Sequence, residues 1–161
     1  MLQCIVVRSS FSFNDIAFRF SGKGIVTTLT FGRVYFTNVY IALRVLRESV
    51  HSQLPIEVMY AAEDGPPPPS IIAHMHATFK DVKFIDLHNV ADFPAGLNLK
   101  GYQIKPFAIM YSSFEEVLYL DSDIFPLVDP KWVFELALYK ESGAVFWPVC
   151  DLHGDFLTDE D

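Results

Sequence analysis

Two aspartates, Asp121 and Asp123, stand two residues apart directly after the apolar run VLYL at 117–120. In an extended strand, side chains at that spacing leave the same face, so the two carboxylates can converge. Converging oxygen ligands select a hard divalent ion, Mn²⁺ or Mg²⁺, and two carboxylates leave coordination positions for water and for diphosphate oxygens. Such an ion would neutralise charge developing on a departing diphosphate. Lys105 precedes the pair and is followed by Pro106. Proline disfavours helical geometry at the residue before it and suits the first helical position, so a helix is expected from Pro106 to about Ser113, with Lys105 at its N-terminus. An ammonium group and a helix N-terminus at one place both favour phosphate or an anionic leaving group.

The elements that must position these residues fit into one domain. The chain has 161 residues, of which 51% are hydrophobic, enough for one substantial core. Its formal net charge is −8, and its 12 basic residues form no stripe, which sets aside a nucleic-acid partner. An acidic domain that holds an acidic ligand needs a cation between the two, or a few well-placed Lys and Arg side chains. Cys4 and Cys150 make neither a disulfide framework nor a zinc site. The opening residues carry Arg8, Asp15 and Arg19 around a short apolar run, too short for a signal peptide or a bilayer span. Membrane association is therefore expected only through a segment outside this chain.

Short, continuously apolar runs alternate with helical ones, which predicts an α/β sandwich whose mostly parallel sheet is covered by helices on both faces. Strands are expected at 25–29 (IVTTL), 56–60 (IEVMY), 82–87 (VKFIDL), 117–120 (VLYL) and 144–147 (AVFW). Tyr35, Val39, Ala42, Leu43 and Leu46 recur at helical spacing and predict a crossover helix between the first two. Residues 63–70 (EDGPPPPS) read as a stiff surface loop, and Asp129-Pro130 as the N-cap and first residue of a short helix. The chain divides into an irregular segment 1–21, a core 22–150 and an acidic tail 151–161. In a parallel α/β sheet, ligands bind beyond the carboxyl ends of the strands, where Asp121 and Asp123 fall.

The segments KGYQIKPFA, SSFEEVLYLDSD and YKESGAVFWP, with GKGIVTTLTFGRVYFTNVYIALRVLRE and LPIEVMY upstream, closely resemble the fungal alpha-mannosyltransferase family that extends mannan side chains in the Golgi. The resemblance covers Gly22 to Pro148. It implies a GT-A type, Rossmann-like fold and transfer of mannose from GDP-mannose to a mannoside acceptor with retention of configuration. It further implies that Asp123 binds the metal directly and that Asp121 contacts the metal or the nucleotide ribose. Lys105 matches the lysine that precedes the DxD in related glycogenin-like enzymes, where it contacts the donor. Thr27 and Thr28 fall where GT-A enzymes hold the nucleotide base, and Tyr102 and Gln103 would line the donor site. A Golgi-lumenal location, as part of a type II membrane protein, also follows from the resemblance. Departures are equally specific. The glycine-rich turn usual after the first strand is replaced by TLTFGRVYF, with only Gly32. After FWP the chain reads VCDLHGDFLTDED where the family continues into an acceptor-binding half, so a core truncated at its C-terminus is expected. No catalytic nucleophile is assigned.

Other polar residues carry weaker signals. His74 and His76 are two apart and would face different ways on a helix, which points to structural roles. His153 with Asp151 and Asp155 could supply a late metal ligand. Glu115 and Glu116 are expected to be solvated, and Trp132 and Trp147 to be core or pocket-wall residues. Two rival functions remain. A haloacid dehalogenase type phosphotransferase also places DxD after an apolar strand, with the first Asp as nucleophile, but expects Thr or Val where Phe125 stands. A non-catalytic or incomplete nucleotide-sugar-binding fragment is the other, because transfer needs an acceptor held in register with the donor.

Overall fold

The computed structural model describes residues 2–8, 20–30 and 33–148. Among the described residues, six strands form one sheet in the order β4-β3-β2-β5-β1-β6. The strands are β1 (Leu2–Arg8), β2 (Lys23–Thr28), β3 (Ile56–Tyr60), β4 (Val82–Asp86), β5 (Glu116–Leu120) and β6 (Ala144–Pro148). Four of them, β4-β3-β2-β5, are mutually parallel, and β1 runs antiparallel between β5 and β6. This is a Rossmann-like α/β fold. The five expected strands are all present, with ends shifted by two residues at most.

Helices α1 (Arg33–Arg44), α2 (Pro69–Thr78), α3 (Ile104–Met110) and α4 (Ala137–Ser142) connect the strands. Because neighbouring residues of a strand point to opposite faces, Ile25, Val58 and Leu118 join one apolar cluster while Val26, Met59 and Tyr119 join the other. The first cluster is sealed by Leu43 of α1, Met75 of α2 and Phe134, and the second by Ile104 and Ala108 of α3. Burial on both faces explains why these strands read as unbroken apolar runs. Strand β2 has β3 on one side and β5 on the other, so chain order reverses there. A crevice at the carboxyl ends of β2 and β5 is what such a reversal creates.

Three local readings change. Residues 1–21 are expected to be irregular, yet Leu2–Arg8 forms a strand whose Cys4–Arg8 pairs with Leu120–Glu116. Its partner lies far away in sequence, so nothing local marks it. The proline run is shorter as a loop than expected, because Pro69 is the first residue of α2; its missing N–H falls where a helix has no acceptor to offer. Likewise α3 starts at Ile104, after a 3₁₀ turn at Gly101–Gln103, and ends at Met110. Pro106 thus lies inside the first turn, where its lack of an N–H still costs no helical hydrogen bond. Asp129 caps the 3₁₀ segment Pro130–Glu135 as expected, accepting from the Lys131 N–H at 3.2 Å.

Candidate functional site

Four polar side chains meet at the β2–β5 crevice. Tyr119, in the middle of the buried run VLYL, donates its phenolic hydrogen to Asp121 Oδ1 at 2.9 Å. Lys105 Nζ approaches the same oxygen at 2.5 Å. Thr28 Oγ1 lies 2.9 Å from the Tyr119 hydroxyl. Tyr119 has one hydroxyl hydrogen and gives it to a carboxylate that can only accept, so Thr28 is the donor in the second bond. The result is a directed chain, Thr28 to Tyr119 to Asp121, met from the other side by Lys105.

Each residue owes its place to local structure. Tyr119 and Asp121 share a face through their spacing of two, and Thr28 shares it with Val26 on the neighbouring strand. Lys105 reaches the crevice from the first turn of α3, whose Ile104 is fully buried beside Tyr119 in the second cluster. The Tyr102 ring, two-thirds exposed, lies 5.1 Å from the Lys105 ammonium in a cation–π contact. Burial, then the charge of Asp121 and more weakly that of Asp123, hold the Tyr119 phenol protonated far above the usual tyrosine range.

The structure therefore brings together Thr28, Tyr102, Lys105 and Asp121, and it separates Thr27. Thr27 points to the opposite sheet face, where its Oγ1 is buried without a hydrogen bond among the described residues. Strand alternation alone separates the two threonines. Sequence reasoning missed Tyr119, which it took as part of an apolar run. The available signal was its spacing of two from Asp121.

Asp121 and Asp123 do not leave one extended strand. Strand β5 ends at Leu120, and the Ile124 N–H donates to Asp121 O at 3.0 Å, closing a turn over Ser122 and Asp123. Asp121 is consequently buried and Asp123 exposed on the turn. Both still flank one strand end, since the charge of Asp123 contributes to the rise in the Tyr119 pKa. Among the described residues no three His, Cys, Asp or Glu side chains converge as a metal-holding group. With one oxygen of Asp121 already engaged, the donor set fits a divalent ion held jointly with a ligand's diphosphate, and does not fit one caged by protein alone.

The remaining candidates have structural places. His74 stacks on Tyr40 and His76 packs edge-on against Phe84, at centroid distances of 6.1 and 5.3 Å. Glu116 is not simply solvated: it accepts from the Tyr139 hydroxyl at 2.9 Å and pairs with Lys23 at 3.4 Å, at the far end of the strands from Asp121. Trp132 and Trp147 line an apolar groove of about 250 Å³ with Leu120 and Ile124. Asp151, His153 and Asp155 lie outside the described residues.

Fold and site thus define an α/β domain with a lysine–carboxylate pair at the reversal point of a parallel sheet. Residues 22–152 match the protein family described as "Mannosyltransferase putative", and the chain belongs to that family. Among curated relatives, the chain is 34% identical to alpha-1,2-mannosyltransferase MNN22 of Candida albicans over 147 residues, covering 78% of this chain and 23% of the relative. It is 46% identical to alpha-1,2-mannosyltransferase MNN2 of the same organism over 66 residues, covering 37% and 11%. With alpha-1,2-mannosyltransferase MNN2 of Saccharomyces cerevisiae it shares 45% over 49 residues, covering 30% and 8%. The chain thus spans at most about a quarter of the length of these relatives.

Proposed function

We propose that this chain is the nucleotide-sugar-binding core of an alpha-mannosyltransferase that moves mannose from GDP-mannose to a mannoside acceptor. The observation that carries the reading is the Lys105–Asp121–Tyr119 cluster at the strand reversal, in a chain that belongs to a mannosyltransferase family. A nucleoside diphosphate laid across the carboxyl ends of β2 and β5 would meet the Lys105 ammonium and the exposed Asp123. Asp123 and Asp121 are the residues that would hold Mn²⁺ or Mg²⁺ beside the diphosphate, and the bound ion would stabilise the charge of the leaving group. Lys105 offsets the charge of Asp121, and Tyr102 offers an exposed ring beside the ammonium. Location in the Golgi lumen belongs to the same proposal. Among the described residues no helix is long and apolar enough to cross a membrane.

A second reading has its own support. The residues assigned above all serve the donor side, so a domain that binds the donor without completing transfer is also supported. The phosphotransferase reading loses ground, because residues 22–152 match a mannosyltransferase family. Calorimetry with GDP, with and without Mn²⁺, tests donor binding, and a hydrolysis assay on GDP-mannose tests turnover. Metal-dependent GDP binding with turnover supports the enzyme; binding alone supports the binding domain; no binding refutes both. A thermal-shift panel of GDP-mannose against UDP-sugars tests the donor, and equal shifts would remove the preference for GDP-mannose.

A further inference from the structure

We propose that Tyr119 is the positioning residue of this site: its buried phenol, braced by Thr28, fixes the Asp121 carboxylate in the orientation that faces Lys105, and thereby sets the geometry in which a nucleoside diphosphate is received. The inference rests on the donor-binding reading above and adds a residue and a role to it.

Two donors share Asp121 Oδ1, and they differ in stiffness. The lysine ammonium sits on a flexible four-carbon stem and can rotate any of three hydrogens toward an acceptor. The tyrosine has two side-chain torsions, and its ring is fully buried near the end of β5, in one apolar cluster with Met59, Leu87, Ile104 and Ala108. The rigid donor therefore defines where the carboxylate points, and the flexible one follows. Thr28 completes the arrangement from the adjacent parallel strand, where Val26 is the register partner of Tyr119. The hydrogen-bond chain thus ties together the two strands that flank the crevice. Buried polar chains of this kind order their members only when every donor and acceptor is used, and here one hydroxyl serves as both.

The position of Tyr119 has a further consequence. Asp121 opens the turn that carries Asp123, because the Asp121 carbonyl accepts the hydrogen bond that closes it. Fixing the Asp121 side chain also restrains the start of the turn. Loss of the phenol would loosen both carboxylates, although Tyr119 itself would touch neither nucleotide nor metal.

The test uses the whole chain as wild type, Tyr119→Phe and Thr28→Val, with two readouts taken below the unfolding transition. The first is solvent exchange of the Lys105 ammonium hydrogens by ¹H–¹⁵N NMR without ligand; the second is GDP affinity in Mn²⁺ by calorimetry. Tyr119→Phe is expected to speed ammonium exchange several-fold and to weaken GDP binding about tenfold, and Thr28→Val to shift both less and in the same direction. Unchanged exchange in Tyr119→Phe would overturn the proposal, whether GDP affinity falls or not, because the ring would then serve packing alone. If wild type binds no GDP, the donor reading fails, and the exchange rates still decide whether Tyr119 positions Asp121. Should Tyr119→Phe fail to fold, the Thr28→Val arm decides: unchanged exchange and affinity would remove the proposed brace.

Discussion

Gly24 of β2 lies directly beneath the ring of Phe114: a Cβ placed on the glycine would stand 2.3 Å from Phe114 Cε2. The ring is buried, so it has nowhere to swing. Backbone and ring approach each other this closely only because residue 24 has no side chain. Gly24→Ala is expected to destabilise the fold by about 1–3 kcal/mol through overpacking. Urea unfolding measures the loss, and Gly24→Ala combined with Phe114→Leu should recover part of it. Additive losses would show that the contact is not the cause.

Asp123 separates ligand binding from stability. It is exposed on its turn, so Asp123→Ala should change folding stability by no more than about 0.5 kcal/mol. The same change is expected to abolish the Mn²⁺-dependent part of GDP binding, because it removes the carboxylate best placed for a shared ion. Calorimetry with and without Mn²⁺ reads this directly. Undiminished metal-dependent affinity would refute the metal role of Asp123.

Lys105→Met is expected to be costly for the fold. It leaves the buried Asp121 carboxylate without its cation, a loss on the order of 3 kcal/mol. Adding Asp121→Asn removes the stranded charge and should restore most of that stability. Thermal and urea unfolding of the single and double variants check the coupling; a double variant no more stable than the single one would exclude the ion pair as the cause.

The acid limb of stability should depend on Glu63. Burial pushes its carboxyl group up, but the Leu99 N–H, its own backbone N–H and His88 together outweigh burial and hold it below the ordinary carboxylate range. A depressed native pKa favours the ionised fold. This stabilisation is complete above the unfolded pKa and is lost as pH falls through the native one. Glu63→Gln should therefore lower the melting temperature at neutral pH and flatten its decline as pH falls through and below the ordinary carboxylate range. An unchanged acid profile would contradict the assignment.

Much of this site could be read from residue order because a doubly covered parallel sheet leaves a strong local signature. The runs IVTTL, IEVMY and VLYL are apolar on both faces, and their carboxyl ends mark the side of the sheet on which Asp121 falls. Lys105 and Asp121 were legible on the same grounds. Three features were not. Tyr119 is polar at one atom only, and in VLYL that hydroxyl is masked by the ring's apolar surface. Thr27 and Thr28 are indistinguishable by type, and only strand alternation assigns one to the crevice and the other to the opposite core. The residues DSD were treated as a continuing strand, although three short polar residues before Ile124 favour a turn once the sheet ends. Strand β1 was hidden for a different reason: its pairing with β5 joins Cys4 to Leu120, and no local pattern reports so distant a neighbour.

That distant pairing constrains how the chain can be assembled. Leu2–Arg8 is made early, but both strands it lies between, β5 and β6, are made late. Until they emerge, the opening segment lacks both strands with which it pairs, whereas β2, β3 and β4 can associate through nearby crossovers. A nascent chain should thus first acquire its parallel half and seat the leading segment last, as a slow, long-range closure step.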